Sequence, residues 1–237
     1  MVIIIFTIGI ITFFFALEFS KAYERVKEIK GTPTTDIRYV EKGRFEIKAD
    51  IDTESENIES PLSQIECVWY ALIIKERVKR GKKRKWITRA TSENFKKCIL
   101  DDGTGKCEID LSEINFDLGT QYQGGSGTFD DPTDQERNAL QRVGIDPNTL
   151  FGFNRTFKYE EYILRQGDSL YILGNCEELY ESKYEVLIKG TKDEPIFISD
   201  KSESELVRKY ERRAGMFGGL ILLCTSTAVY LLLFQPF

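Results

Sequence analysis

Apolar residues gather in two unbroken runs at the ends of the chain. Residues 1–17, MVIIIFTIGIITFFFAL, and residues 214–237 carry no charge, so all 33 Lys/Arg and 38 Asp/Glu of the 237 residues lie between Glu18 and Arg213. A helix of 17 residues rises about 25 Å, the short end of what crosses a hydrocarbon core. The second run is long enough without qualification, and its Leu, Val and Tyr content suits lipid. A secretory signal peptide would show positive charge before the apolar core and a small-x-small cleavage site. Met1–Ser20 shows neither, which predicts an uncleaved anchor.

After the first run, Glu18–Lys30 is rich in helix formers and mixed charge, and Gly31 and Pro33 stop it. The first helix therefore extends out of the membrane over 1–30, with its span at about 1–17. At the other end, Ser202-Glu-Ser-Glu205 is a capping-box pattern ahead of Leu206. It predicts one helix over 201–237, with a span at about 214–234.

Residues 31–200 change period. Gly43–Ala49 alternates as a half-buried strand does, and Cys67–Ile74 is an almost continuous apolar strand entered through Ser60-Pro61. Its two faces, Val68, Tyr70, Leu72, Ile74 and Cys67, Trp69, Ala71, Ile73, are both largely apolar, which predicts a central strand. Further strands are predicted at 86–89, 95–100, 106–109, 153–164, 170–173, 184–189 and 196–198, with one helix over Pro132–Val143. Gln121–Thr128, with Gly124-Gly-Ser-Gly127, reads as a flexible loop. The pattern predicts a mainly β (α+β) architecture: a small antiparallel β-barrel-like domain with one inserted helix, flanked by two transmembrane helices.

Charge then sets orientation. Lys21, Arg25, Lys27 and Lys30 follow the first span, and Arg208, Lys209, Arg212 and Arg213 precede the second, while the outer ends carry no basic side chain. Cytoplasmic flanks are enriched in Lys and Arg, so the expectation is a two-pass protein of the cell membrane with the central domain cytoplasmic and both termini outside. Gly215 and Gly219 give a small-xxx-small spacing through which the first helix, or a second copy in a homodimer, would approach closely.

The inventory of side chains excludes several chemistries. There is no histidine, so Ser-His-Asp and Cys-His catalysis and imidazole zinc sites are closed. The five cysteines, Cys67, Cys98, Cys107, Cys176 and Cys224, form no Cys-x-x-Cys pair. A reducing cytosolic face would leave them as small buried hydrophobes. No phosphate-binding loop is present, and Asp101-Asp-Gly-Thr-Gly105 reads as a hairpin turn. No cofactor or metal site is indicated.

One segment concentrates charge of a single sign. From Lys75 to Lys85 there are eight basic residues and one acid, at the tip of a predicted hairpin. Such a tip keeps a sheet edge soluble, or it contacts anionic headgroups through Lys79, Arg80, Lys82, Lys83, Arg84 and Lys85. Nucleic acid is disfavoured because the chain is net acidic, at -5, and the patch carries no stacking motif. Between Asp101 and Glu136 there are ten Asp/Glu against one Lys, and the loop within that stretch, around Tyr122 and Phe129, is the candidate surface for a protein partner.

A series of landmarks resembles the GIDE family, the membrane-embedded RING-type ubiquitin ligases of organelle membranes and their prokaryotic relatives. It begins with Ser60-Pro61 and Cys67-Val-Trp69-Tyr70, then the lone Trp86. Asp101, Asp102 and Gly105 follow, then Arg155 with Glu160 or Glu161, and Gly167-Asp-Ser-Leu-Tyr-Ile-Leu-Gly174. The resemblance spans roughly residues 40–205 and implies a "beside a membrane" domain, a β-rich module that binds partners, in which these landmarks other than Trp86 are structural. In the family's ligases a cytosolic RING follows the second span and holds zinc with cysteine and histidine. These 237 residues contain no such ligand set, so the resemblance does not bring ligase activity to them. It leaves two expectations. One is a non-enzymatic platform; the other is the membrane subunit of a ligase-like or protease system whose catalytic part lies on another chain.

Overall fold

The computed structural model describes residues 2–127, 130–146, 155–176 and 187–234. It divides into two compact units, one formed by both ends of the chain and one by Thr34–Asp200.

The first unit is a pair of long helices, α1 (Val2–Gly31) and α3 (Glu203–Phe234). They run antiparallel: the Phe15 ring lies 5.9 Å from that of Phe217, Phe19 sits beside Gly218, and Lys30 reaches Glu211 at 2.6 Å. Both are long and apolar enough to cross a membrane, and their apolar stretches are 0 % buried. Ile3 is 80 % and Leu233 70 % exposed, apolar surface that is costly to leave in water and suits a hydrocarbon core. Hydroxyls within the spans are satisfied locally. Thr7 and Thr12 donate to the carbonyls of Ile3 and Ile8, and Ser226 and Thr227 to those of Leu222 and Leu223. This back-bonding satisfies these four hydroxyl hydrogens within the helices themselves. The predicted capping box holds: Ser202 Oγ accepts from the Glu205 amide, and the Glu205 carboxylate accepts from that of Ser202. The helix contact differs from expectation, because Gly218 faces α1 while Gly215 and Gly219 have nothing within 4 Å of an added Cβ.

In the second unit, a seven-stranded sheet runs β12 (Leu187–Lys189), β7 (Lys106–Asp110), β6 (Cys98–Asp101), β1 (Gly43–Ile51), β11 (Ser169–Cys176), β13 (Ile196–Ser199), β8 (Ile114–Asp117). A four-stranded sheet runs β5 (Lys83–Phe95), β4 (Trp69–Arg80), β10 (Phe157–Leu164), β9 (Tyr122–Ser126). A two-stranded ribbon joins β2 (Ile58–Glu59) and β3 (Glu66–Cys67). Three expectations are corrected. Among the described residues the sheets are open, so the fold is α+β with sheets rather than a closed barrel. Two pairings, β12 with β7 and β13 with β8, are parallel. The glycine-rich segment read as a loop is the edge strand β9, in register with β10 from Phe157↔Ser126 to Glu161↔Tyr122.

The apolar strand predicted to be central is β4, an inner strand of its sheet. One core joins the seven-stranded sheet, through Phe45, Ile47, Leu100, Ile172 and Ile198, to Val68, Trp69 and Leu164. A second core lies on the other side of the four-stranded sheet, where Leu72, Ile74, Phe157 and Tyr159 pack with Leu62 and with Ala139 and Leu140 of α2 (Asp134–Arg142). Burial on both faces is why β4 lacks the polar alternation of a one-sided strand. α2 begins with a full capping box between Thr133 and Glu136.

Candidate interaction site on the β4–β5 hairpin

The acidic and hydroxyl landmarks are occupied by the fold. Glu161 is fully buried, and its carboxylate accepts from the amides of Leu62 at 2.8 Å and Ser63 at 2.9 Å and from the Ser63 hydroxyl. It thus fastens the turn that begins at Ser60-Pro61, which Ser60 closes by exchanging hydrogen bonds with Ile65. Arg155 grips Glu76 through two hydrogen bonds, and Arg89 joins the same carboxylate. The Arg155 pairing, opposed by burial and assisted by Arg89, holds the Glu76 pKa below its ordinary value. Asp101 accepts from the Gly103 amide. Asp102 accepts from the amides of Ile37, Thr104 and Gly105, so the pair makes the predicted turn and ties the 37–39 segment to it.

The remaining landmarks are packing positions. The Trp69 ring lies 4.2 Å from that of Phe116, and its Nε1 donates to Glu93 at 2.8 Å. Tyr70 is half-buried on the same strand. Gly167 turns the chain into β11. A Cβ on Gly174 would meet Ile196 at 3.1 Å and the Phe45 ring at 3.2 Å, so that glycine allows β1, β11 and β13 to close. Cys67 is buried, and its thiol is pushed up to about 11 by burial and by the Glu161 charge. Cys98 and Cys107 are free, buried and diagonal across β6 and β7, with their thiols raised to about 12, chiefly by burial. Of the suggested partner residues, Tyr122 is half-buried on β9 and donates to Glu136 at 3.1 Å, while Phe129 lies outside the described residues.

The basic segment is built differently. β4 and β5 form one long hairpin whose turn is Gly81-Lys82, flanked by the pair Arg80↔Lys83. Gly81 has φ +61, as the first central residue of a two-residue hairpin turn requires, a conformation β-carbons disfavour. The register then sets like charges opposite each other, Lys79 to Arg84 and Arg80 to Lys83. Such pairs destabilise a sheet. Arg77, Lys79, Arg80, Lys82, Lys83, Arg84 and Lys85 are all exposed and have no ion-pair partner among the described residues. Lys75, nearer the core, pairs with Glu160 at 2.7 Å. The same register places Arg77 opposite Trp86, so Arg77, Lys79, Arg84 and Trp86 share one face. Trp86 is 46 % exposed. β5 also ends its sheet, leaving a 13-residue edge of backbone donors and acceptors.

The model of the GIDE family, described as E3 ubiquitin ligase, matches residues 72–232. The chain belongs to the GIDE family. The match takes in the hairpin, the Arg155 and Glu161 landmarks, the Gly167–Gly174 stretch and almost all of α3, and begins just after the Ser60–Tyr70 landmarks. Comparison with curated proteins and with solved structures gives no significant match.

Proposed function

We propose that this GIDE-family chain is a two-pass protein of the cell membrane whose cytoplasmic domain docks a protein partner, or organises a membrane assembly, without catalysing a reaction itself. The observation that carries this reading is the open β5 edge. It is a long and mostly exposed strand, interrupted by one bulge at Arg89 between its pairings with Lys75 and Ile74, whose outer backbone groups have no partner strand among the described residues. An extended segment of another protein adds to such an edge through main-chain hydrogen bonds, and its alternate side chains supply the specificity. At the other end of the same sheet, β9 with Tyr122 offers a second, glycine-rich edge. The family landmarks favour a scaffold too, since the carboxylates of Asp102 and Glu161 are committed to holding turns and Arg155 is committed to Glu76.

The family description favours a second reading, in which the partner is the catalytic chain of a ligase-like system. One experiment addresses both. A photo-crosslinking side chain is placed at exposed Thr91 on β5 in the full chain within native membranes, with exposed Asp193 as the control position. A discrete adduct from position 91 and none from 193 is expected, and its composition tells scaffold from catalytic subunit. No adduct, or the same adducts from both positions, overturns the docking reading.

A further inference from the structure

We propose that the Arg77, Lys79, Arg84 and Trp86 face of the hairpin is an anchor for acidic phospholipid headgroups of the bilayer that the chain's own helices occupy. Seven basic side chains project from one hairpin, two pairs of them set directly opposite each other, and none has an acidic partner among the described residues. The fold therefore carries a local repulsion that a bound external anion relieves. Trp86 specifies what kind of anion. An exposed indole flanked by Arg77 and Arg84 presents an apolar body and a polar N–H, the chemistry that settles at the boundary between headgroups and acyl chains. A soluble polyanion satisfies the cations and leaves the indole in water, whereas a bilayer surface satisfies both. Tethering by two helices keeps that surface at high effective concentration, so modest intrinsic affinity suffices.

The inference rests on the two-span reading and not on the protein partner, so the two tests fail separately. The chain has two tryptophans, and Trp69 is 3 % exposed in the core, so the difference in emission between the full chain and its Trp86→Phe variant reports Trp86 alone. The purified full chain is reconstituted into vesicles of phosphatidylcholine, with or without phosphatidylserine, using lipid brominated near the glycerol. Both leaflets have the same composition, so insertion orientation does not matter. The Trp86 component is expected to be quenched and blue-shifted only when phosphatidylserine is present, and to be released by salt. Each basic residue near the surface accounts for about fivefold in association, so Lys79→Glu with Arg84→Glu removes the quenching while leaving the Trp69 emission unchanged. Quenching that ignores phosphatidylserine overturns the headgroup assignment. So does a Trp86 that stays accessible to aqueous iodide in both vesicle types, or that is shielded only when other membrane proteins are added.

Discussion

Arg155 holds Glu76 with two nearly parallel hydrogen bonds, Nε to Oε1 at 2.8 Å and Nη2 to Oε2 at 2.7 Å, and so ties the entry of β10 to the middle of β4. Arg155 also donates to the Asp146 carbonyl and lies over the Phe157 ring. Replacing Arg155 with alanine leaves a buried carboxylate with Arg89 alone, and is expected to cost about 2 kcal/mol in a denaturant titration. Arg89→Ala costs less, because that side chain is 40 % exposed.

The same pair has a pH signature. The Glu76 pKa is lowered in the folded protein, so the stability it contributes is present above the unfolded carboxylate value and is lost as pH falls through the folded one. Arg155→Ala raises that folded pKa, so acid unfolding begins at higher pH. A Glu76→Gln variant, destabilised at neutral pH, loses this portion of the acid dependence. Unfolding followed by far-ultraviolet circular dichroism across the acid range checks both outcomes.

Glu161 is the fastening of the Ser60–Ser63 turn. Glu161→Gln keeps the shape but places an amide N–H₂ among three donors, so a loss of about 2–3 kcal/mol is expected. Thermal unfolding of the purified chain measures it, with Ser63→Ala as the milder comparison.

Gly124 separates two kinds of glycine. A Cβ there would stand 2.5 Å from the Tyr122 ring and 2.6 Å from Glu136 Oε1, so Gly124→Ala is expected to cost about 1–3 kcal/mol by overpacking. At Gly215 and Gly219 an added methyl meets nothing within 4 Å. Alanine at both is expected to leave the α1–α3 pair intact, so any loss of a homodimer in crosslinking reports a contact between copies.

The three buried thiols are expected to be inert. Burial raises Cys67, Cys98 and Cys107 to about 11, 12 and 12, so negligible thiolate exists at neutral pH. Maleimide labelling followed by mass spectrometry should modify them only after denaturant is added.

How much of this was legible in the sequence follows from which interactions are local. The membrane helices, the capping box at Ser202, α2 and the apolar strand β4 were readable because each rests on periodicity or on side chains a few residues apart. β9 was hidden because Tyr122-Gln-Gly-Gly-Ser126 has little strand propensity and exists through pairing with β10. β5 runs far beyond its predicted 86–89 because β4 dictates its register. Open sheets in place of a barrel, and the parallel joins of β12 to β7 and β13 to β8, depend on contacts between distant segments, which composition does not encode. The Glu161 fastening spans 98 residues. The basic tip was visible in the sequence; that Trp86 shares a face with Arg77 and Arg84 required the hairpin register.

Everything proposed for the hairpin depends on which side of the membrane carries Thr34–Asp200. The direct measurement is labelling of intact cells with a membrane-impermeant maleimide, using a single cysteine at exposed Thr91, with Cys176 and Cys224 replaced by serine and the three buried thiols left in place. Protection until the membrane is permeabilised is the expected result and places the domain in the cytoplasm. Immediate labelling contradicts the basic-flank argument and moves both the partner and the lipid surface to the other side.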